Sequence, residues 1–99
     1  MPYFAVIRER GSAWDWALPM RRQREWEAHA AFMDALVAEG FIRLGGPLGG
    51  EDDAPRVLHV VEAPDRAAVE ARIAQDPWTP GELLRTVSIE PFTILLGRL

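Results

Sequence analysis

The chain has 99 residues, a formal net charge of −4 at pH 7 and no cysteine. This length predicts a single domain over residues 1–99. The acidic balance disfavours nucleic acid, which proteins bind through basic surfaces, and the lack of cysteine excludes disulfides and thiolate catalysis. No segment approaches the roughly 20 apolar residues that cross a bilayer, so we expect a cytoplasmic protein with no membrane partner.

The first half of the chain predicts a strand, a long loop and a long helix. Residues 2–8 are aromatic and β-branched, which is typical of a strand. The loop over residues 9–19 carries Trp14 and Trp16, which we expect to cap a pocket or to pack on a partner subunit. Apolar residues then recur at helical spacing over residues 20–39 and predict the longest helix.

Two further strands are predicted in the middle of the chain. Residues 41–44 form a short one, which the glycine- and proline-rich run of residues 45–50 should interrupt. Residues 56–62, with the sequence RVLHVVE, predict the next strand, which Pro64 bounds.

The last third predicts a helix and a final strand. Asp65 is a natural N-cap for a helix over residues 66 to about 75, and Pro77 disfavours helical geometry at the residue before it. Residues 83–96 contain the last strand, in which Pro91 marks either a bulge or an unpaired edge position.

The resulting order, β-α-β-β-α-β, predicts an α+β protein of ferredoxin-like topology. In this arrangement both helices cover one face of a four-stranded antiparallel sheet. The strands carry apolar residues at consecutive positions, for example from Phe4 to Ile7, which is typical of strands covered on both faces. A second copy of the chain is the simplest cover for the free face, so we expect a homodimer or a higher assembly.

His29 is the most informative residue of the long helix. It lies on the same apolar stripe as Trp26 and Met33, so its side chain should point towards the sheet. An inward imidazole either lines a pocket or is a core histidine bonded to a backbone carbonyl. Trp26 is correspondingly a pocket wall or a core residue, and Arg22 is an anion-binding or a solvated side chain.

Asp76 is predicted at the C-terminus of the second helix, where the helix dipole disfavours a negative charge. Either a partner such as His29 compensates this charge, or the Asp-Pro pair makes a turn and nothing more. A carboxylate that holds an imidazole would support proton transfer near neutral pH. Trp78 follows closely enough to close the same pocket.

The remaining motifs indicate neither a phosphate loop nor a metal site. Gly46 and Pro47 lack the Lys-Ser/Thr of a P-loop, so they make a bulge that lets the backbone approach a ligand, or a simple bend. His59 lies in a predicted strand, and two histidines without a ligand spacing do not predict a metal site. We therefore expect no metal and no cofactor.

The order and spacing of four short motifs resemble the YCII-related family. These motifs are His29, Gly46-Pro47, Asp76-Pro77 and Pro91-Phe92. The resemblance extends from Tyr3 to Phe92 and implies a ferredoxin-like subunit that dimerises into an α/β barrel. It also implies a His–Asp pair in a pocket, which falls on His29 and Asp76, and one related branch resembles dehalogenases that act on chlorinated aromatic rings.

The leading hypothesis is an enzyme that performs metal-free acid/base chemistry on a small organic molecule, of lyase, isomerase or dehalogenating type. His29 would exchange the proton and Asp76 would orient the imidazole. The residues expected to bind the substrate are Trp26, Trp78, Arg22, Gly46 and Pro47. A binding module without chemistry and a structural or assembly partner remain the alternatives, because the fold does not choose among them.

Overall fold

The computed structural model describes all residues from Met1 to Leu99 and has the predicted order of elements. The elements are β1 (Tyr3–Arg10), a 3-10 turn (Met20–Arg22), α1 (Trp26–Ala38), β2 (Ile42–Pro47), β3 (Arg56–Glu62), α2 (Arg66–Ile73) and β4 (Leu84–Phe92). The four strands form one antiparallel sheet in the order β2-β3-β1-β4. The ferredoxin-like α+β arrangement is therefore confirmed.

Alternation along β1 determines which side chains enter the core. Phe4, Val6, Arg8 and Arg10 are all buried, whereas the residues between them are partly exposed. This is the period of two that a strand imposes on its side chains. The inward face of β1 therefore carries two apolar residues followed by two arginines.

Two hydrophobic clusters fill the space between the helices and the sheet. The main core comprises Phe4, Val6, Leu36, Ile42, Val61, Ala63, Val69, Ile73 and Ile89. The tryptophan cluster comprises Trp14, Val57, Trp78, Leu83 and Leu84, with Met20 and Trp26 packed against it. The main core joins both helices to the sheet, and the tryptophan cluster lies beside the polar side chains described below.

The long helix begins at Trp26, and the prediction of a start at residue 20 was wrong. Glu25 has a left-handed backbone (φ 64°) that separates α1 from the 3-10 turn. The buried Gln23 side chain donates hydrogen bonds to the carbonyls of Asp15 and Leu18 and accepts one from the amide of Asp15. These bonds hold the chain in a loop, so Arg22 does not share the helical stripe of His29.

The glycine-rich segment after residue 44 is partly a strand, which corrects the prediction of a break at residue 45. Gly45, Gly46 and Pro47 pair with His59, Leu58 and Val57 of β3 in sequence. The register irregularity lies earlier, between Ile42 and Leu44. Pairing with a neighbouring strand thus overrides the weak strand propensity of this segment.

The predicted start of α2 is confirmed, whereas the bulge predicted in the last strand lies at a different residue. The Asp65 carboxylate accepts a hydrogen bond from the Ala68 amide at 2.8 Å, so the predicted N-cap is confirmed. The bulge of β4 lies at Val87, because the register against β1 shifts there. Pro91 is instead in register with Phe4 on an edge strand, where a missing amide donor is tolerated.

The two loop tryptophans have different environments. Trp14 is buried in the tryptophan cluster, whereas Trp16 is 55% exposed. Their rings still contact each other, with centroids 6.2 Å apart. Trp14 is therefore a core residue, and only Trp16 remains available as a surface side chain. None of the helices is long and apolar enough to cross a membrane.

Candidate functional site

An open cavity of about 460 Å³ lies between α1, β2 and β3. Five of the residues predicted for the site line it, namely Trp26, His29, Gly46, Pro47 and Trp78. Segments that are distant in sequence contribute to its wall, since α1, the β2 edge and the turn after α2 all supply side chains. The fold therefore brings most of the predicted site together in one place.

His29 and Asp76 are in direct contact beside this cavity. The His29 Nδ1 atom lies 2.8 Å from Oδ1 and 3.1 Å from Oδ2 of Asp76. Both residues are buried, and Asp76 is fully inaccessible. The helical stripe of α1 directs His29 inward, and Asp76 lies in the turn that follows α2, three residues beyond Ile73.

The Asp76 carboxylate has two further interactions that fix its orientation, and one of its partners is anchored in turn. Arg8 Nη1 donates to Asp76 Oδ2 at 2.7 Å, and this ion pair is completely buried. The backbone amide of Trp78 donates to Oδ1 at 2.9 Å. Arg8 also donates to the Thr79 hydroxyl at 3.0 Å. The Asp-Pro turn and the pairing with His29 are thus both present, and a buried arginine is added to them.

These interactions favour the ionised form of Asp76. Burial raises the pKa of Asp76, but the hydrogen bond and charge of His29, the Arg8 guanidinium and the Trp78 amide together lower it below its usual value. An ionised Asp76 accepts a hydrogen bond from the Nδ1–H group of His29, which assigns the neutral imidazole to the tautomer with a free lone pair on Nε2. The positive charge of Arg8 balances the charge of the Asp76 carboxylate in this buried site.

Trp78 holds the His29 ring in place. The two rings stack with centroids 3.7 Å apart and planes 7° from parallel. The indole Nε1 of Trp78 donates to the carbonyl of Arg24 at 2.7 Å, and its ring meets Trp14 edge-on at 5.3 Å. A side chain fixed on both sides in this way preorganises the imidazole that it contacts.

Trp26 combines the two roles that were considered for it. Its ring centroid lies 5.9 Å from that of His29 and 5.7 Å from that of Trp78. The residue packs against the tryptophan cluster and also lines the cavity. It is therefore an aromatic wall that the core supports.

The structure does not bring Arg22 to the cavity. Arg22 is exposed in the 3-10 turn, and its neighbour Arg21 lines the cavity instead. Arg21 forms an ion pair with Glu51 at 3.0 Å. The displacement follows from the late start of α1, which removes residue 22 from the helix.

Sequence reasoning missed two residues of the site, Arg8 and His59. His59 lies on the inward face of β3, in register with Val6, and lines the cavity. Burial lowers its pKa from 6.5 to about 4, with further lowering by the charges of Arg8 and His29 and a smaller opposing effect of Asp76. The available signal was strand alternation, because Arg8 has the same parity in β1 as Phe4.

No group of three or more His, Asp or Glu side chains is placed to hold a metal ion. The chemistry that these side chains can perform by themselves is proton transfer. His29 offers a lone pair at the cavity, and Asp76 stabilises the imidazolium that forms when the proton is taken up.

Comparison with known proteins supports the fold and gives the family. No curated protein matches the sequence. The structure is similar to that of 5-chloro-2-hydroxyhydroquinone dehydrochlorinase (TftG) from Burkholderia phenoliruptrix AC1100, solved in complex with 2,5-dihydroxybenzoquinone. The TM-score is 0.62 at 22% sequence identity over 95% of each chain. The YCII-related domain matches residues 1–93, and the chain therefore belongs to the YCII-related family, whose fold is a dimeric α+β barrel.

Proposed function

We propose that this protein is an enzyme that transfers a proton to or from a small organic molecule, with His29 as the acid/base group and Asp76 as its orienting partner. The observation that carries the proposal is the 2.8 Å contact between His29 Nδ1 and Asp76 at the wall of the cavity. A carboxylate that holds one ring nitrogen leaves the other free to react with a substrate.

The reaction begins with a proton abstracted from an acidic C–H or O–H group by Nε2 of His29. In an elimination the electron pair left on the substrate forms a new π bond, and the bond to the leaving group breaks with its own electron pair; in an isomerisation the electron pair is delocalised and reprotonated at another atom. In both cases Asp76 stabilises the imidazolium until His29 gives the proton to the leaving group, to the product or to water. This balance requires no oxidant and no reductant.

A hydroxylated ring is the substrate class that we favour. The structurally similar dehydrochlorinase acts on a chlorinated hydroxyhydroquinone and binds a hydroxylated benzoquinone. In this chain the aromatic wall of Trp26 and the apolar side chains of Met33 and Val37 line a cavity of suitable size for one ring. Within this substrate class, we propose that the reaction is an elimination that releases a halide.

The charges around the cavity are consistent with an acidic ligand. Arg21 and Arg43 line the cavity but are paired with carboxylates, at 3.0 Å in the first case and 3.1 Å in the second. Arg10 also lines it, and its hydrogen bonds go to backbone carbonyls and to a methionine sulfur, while the charges of Asp52 and Glu51 act on it without a hydrogen bond. Its guanidinium is therefore the cation at the cavity that is free to bond a phenolate or carboxylate directly.

We further propose that two copies associate through the sheet face that the helices leave open. Tyr3, Ala5 and Ile7 point to this face, and Leu44 and Phe92, 46% and 43% exposed, share it by register. An exposed apolar surface of this kind is typical of a subunit interface. Light scattering at micromolar concentration should give the mass of a dimer or a larger assembly, and a sharply monomeric species contradicts this part of the proposal.

The catalytic part is tested by chloride release from 5-chloro-2-hydroxyhydroquinone and a panel of chlorinated phenols. The wild-type protein should release chloride, and His29→Gln should lower the rate by roughly 100- to 10,000-fold, as expected for a lost acid/base group. Glu70→Gln is the matched control, because Glu70 is an exposed residue of α2 that pairs only with Arg66. Ligand binding without any turnover by the wild type would favour a binding module instead.

A further inference from the structure

His59 is the second imidazole that faces the cavity. It lies in β3, where it is in register with Gly45 on one side and Val6 on the other. The same cavity is lined by His29 from α1. Because β3 is an interior strand of the sheet, the position of this side chain is fixed by pairing on both edges.

The two imidazoles differ in their partners. His29 is bonded to Asp76 and stacked on Trp78, whereas neither ring nitrogen of His59 forms a hydrogen bond within the chain. A partly buried polar group without a partner destabilises a folded protein unless water or a ligand satisfies it. His59 is thus an unused donor and acceptor in the wall of the candidate site.

The neighbouring strand leaves room for the His59 ring. A Cβ atom at Gly45 would lie 2.5 Å from Cδ2 of His59 and 2.9 Å from the carbonyl oxygen of Leu58. The next glycine, Gly46, has no atom within 4 Å of the corresponding position. Of the two adjacent glycines, Gly45 is therefore the one that the ring requires.

Burial, assisted by nearby positive charge, keeps the His59 imidazole neutral at physiological pH. Burial lowers its pKa to about 4, and Arg8 from β1 and His29 from α1 add to this effect, while Asp76 in the turn after α2 opposes it. Arg43 of β2 lines the same cavity, but its charge is balanced by Glu62 at 3.1 Å. A neutral imidazole presents one N–H donor and one lone pair, and such a donor stabilises an oxyanion as charge develops on it.

We propose that His59 is a second substrate-contacting residue, and that one of its ring nitrogens hydrogen bonds an oxygen of the molecule whose proton His29 exchanges. This inference rests on the proposed function and narrows its substrate class to molecules that carry a hydroxyl or carbonyl oxygen close to the exchangeable proton. In the reaction His29 carries the proton, and His59 stabilises the negative charge that the departing proton leaves on the oxygen. The two histidines therefore have different tasks.

The test compares binding of 2,5-dihydroxybenzoquinone by the wild type, His59→Phe and His59→Gln. The phenyl ring fills the space of the imidazole without a hydrogen-bonding atom, and the Gln amide restores a donor. We expect His59→Phe to weaken binding roughly 10- to 100-fold, the loss expected for a hydrogen bond to a charged oxygen, and His59→Gln to recover part of it. The ring-nitrogen resonances of His59 should also move when the wild type is saturated.

The outcomes separate this inference from the function on which it rests. Equal dissociation constants for the wild type and His59→Phe, with unmoved His59 resonances, overturn the role of His59 and leave the His29 proposal intact. Weakened binding in His59→Phe supports the role even where turnover is slow. No binding of the quinone by the wild type counts against the substrate class itself, and both proposals then fall for this class. If His59→Phe does not fold, His59→Gln and the wild-type resonances still decide the question.

Discussion

The inward face of β1 changes character halfway along the strand. Phe4 and Val6 pack in the main core, whereas the equally buried Arg8 pairs with Asp76, and Arg10 lines the cavity and lies over the Trp14 ring. The same backbone, with the same alternation, thus supports an apolar half and a charged half. The apolar half joins the helices to the sheet, and the charged half positions the candidate site.

The charged half of β1 carries the energetic cost of burying Arg8 and Asp76 away from water. Burial of an arginine and an aspartate is expensive unless they pair with good geometry, and apolar replacements are often at least as stable. The Arg8–Asp76 pair, at 2.7 Å with full burial, holds the carboxylate that contacts His29. Phe4 and Val6 therefore stabilise the fold by apolar burial. The Arg8–Asp76 pair as a whole adds little net stability and instead orients the site.

The largest effect is expected from Arg8→Met compared with Val6→Ala. Loss of one partner from a buried ion pair leaves the other charge uncompensated and costs about 3–5 kcal/mol, whereas a small cavity at Val6 costs about 2 kcal/mol. Urea denaturation at a fixed protein concentration measures both. Addition of Asp76→Asn to Arg8→Met should recover part of the loss, because the unpaired carboxylate is then removed. If Arg8→Met lowers the free energy of unfolding less than Val6→Ala does, Arg8 and Asp76 do not form the buried ion pair on which this account depends.

The pH dependence of the free energy of unfolding should show that the pKa of His59 is lowered in the folded protein. Its folded-state pKa of about 4 is below the ordinary value of 6.5, so between these values the unfolded chain binds a proton that the folded chain does not. Stability should therefore fall as the pH is lowered from 6.5 to 4, by about 3 kcal/mol. The pKa of Asp76 is also lowered, so its carboxylate stabilises the folded state above its usual value of 3.8. That stabilisation is lost mainly below this pH, outside the window of His59.

The variant His59→Phe isolates this dependence. It cannot take up a proton, so its free energy of unfolding should change less than that of the wild type over the same pH window. Denaturation at pH 7, pH 5.5 and pH 4 would measure the difference. Parallel curves for the two proteins would show that His59 is solvated and titrates normally.

A smaller effect is expected from the paired substitutions Gly45→Ala and Gly46→Ala. The first places a methyl group against His59 and the Leu58 carbonyl, which should cost about 1–3 kcal/mol through local overpacking. The second enters open space and should change stability by less than about 0.5 kcal/mol. Thermal unfolding of both variants, with the His59 resonances as a local readout, checks the difference. Equal stability of the two would remove the reason for glycine at position 45.

Local sequence signals predicted the elements whose causes are local. The Asp65 cap and the bounds of β3 follow from residues within or beside the element. The start of α1 was missed because it depends on the hydrogen bonds of the Gln23 side chain to the preceding loop. The extension of β2 through Gly45 was missed because it depends on pairing with β3.

The candidate site divides in the same way. The family resemblance and the helical stripe of α1 brought His29 and Asp76 forward, and the structure places them in contact. Arg8 was overlooked because charged residues in strands usually face solvent, and only the parity of its position in β1 signals otherwise. His59 was overlooked because its significance depends on the empty space at Gly45, which belongs to another strand.

The most direct test of the His29–Asp76 pair is an NMR pH titration of the His29 ring in the wild type, in Asp76→Asn and in Asp34→Asn. Asp34 also lines the cavity but makes no hydrogen bond to His29, so its variant removes one negative charge without removing the contact. If the two side chains act as a unit, the His29 titration midpoint falls clearly in Asp76→Asn and changes little in Asp34→Asn. An identical His29 titration in the wild type and in Asp76→Asn would make Asp76 a turn residue and would contradict the proposed chemistry.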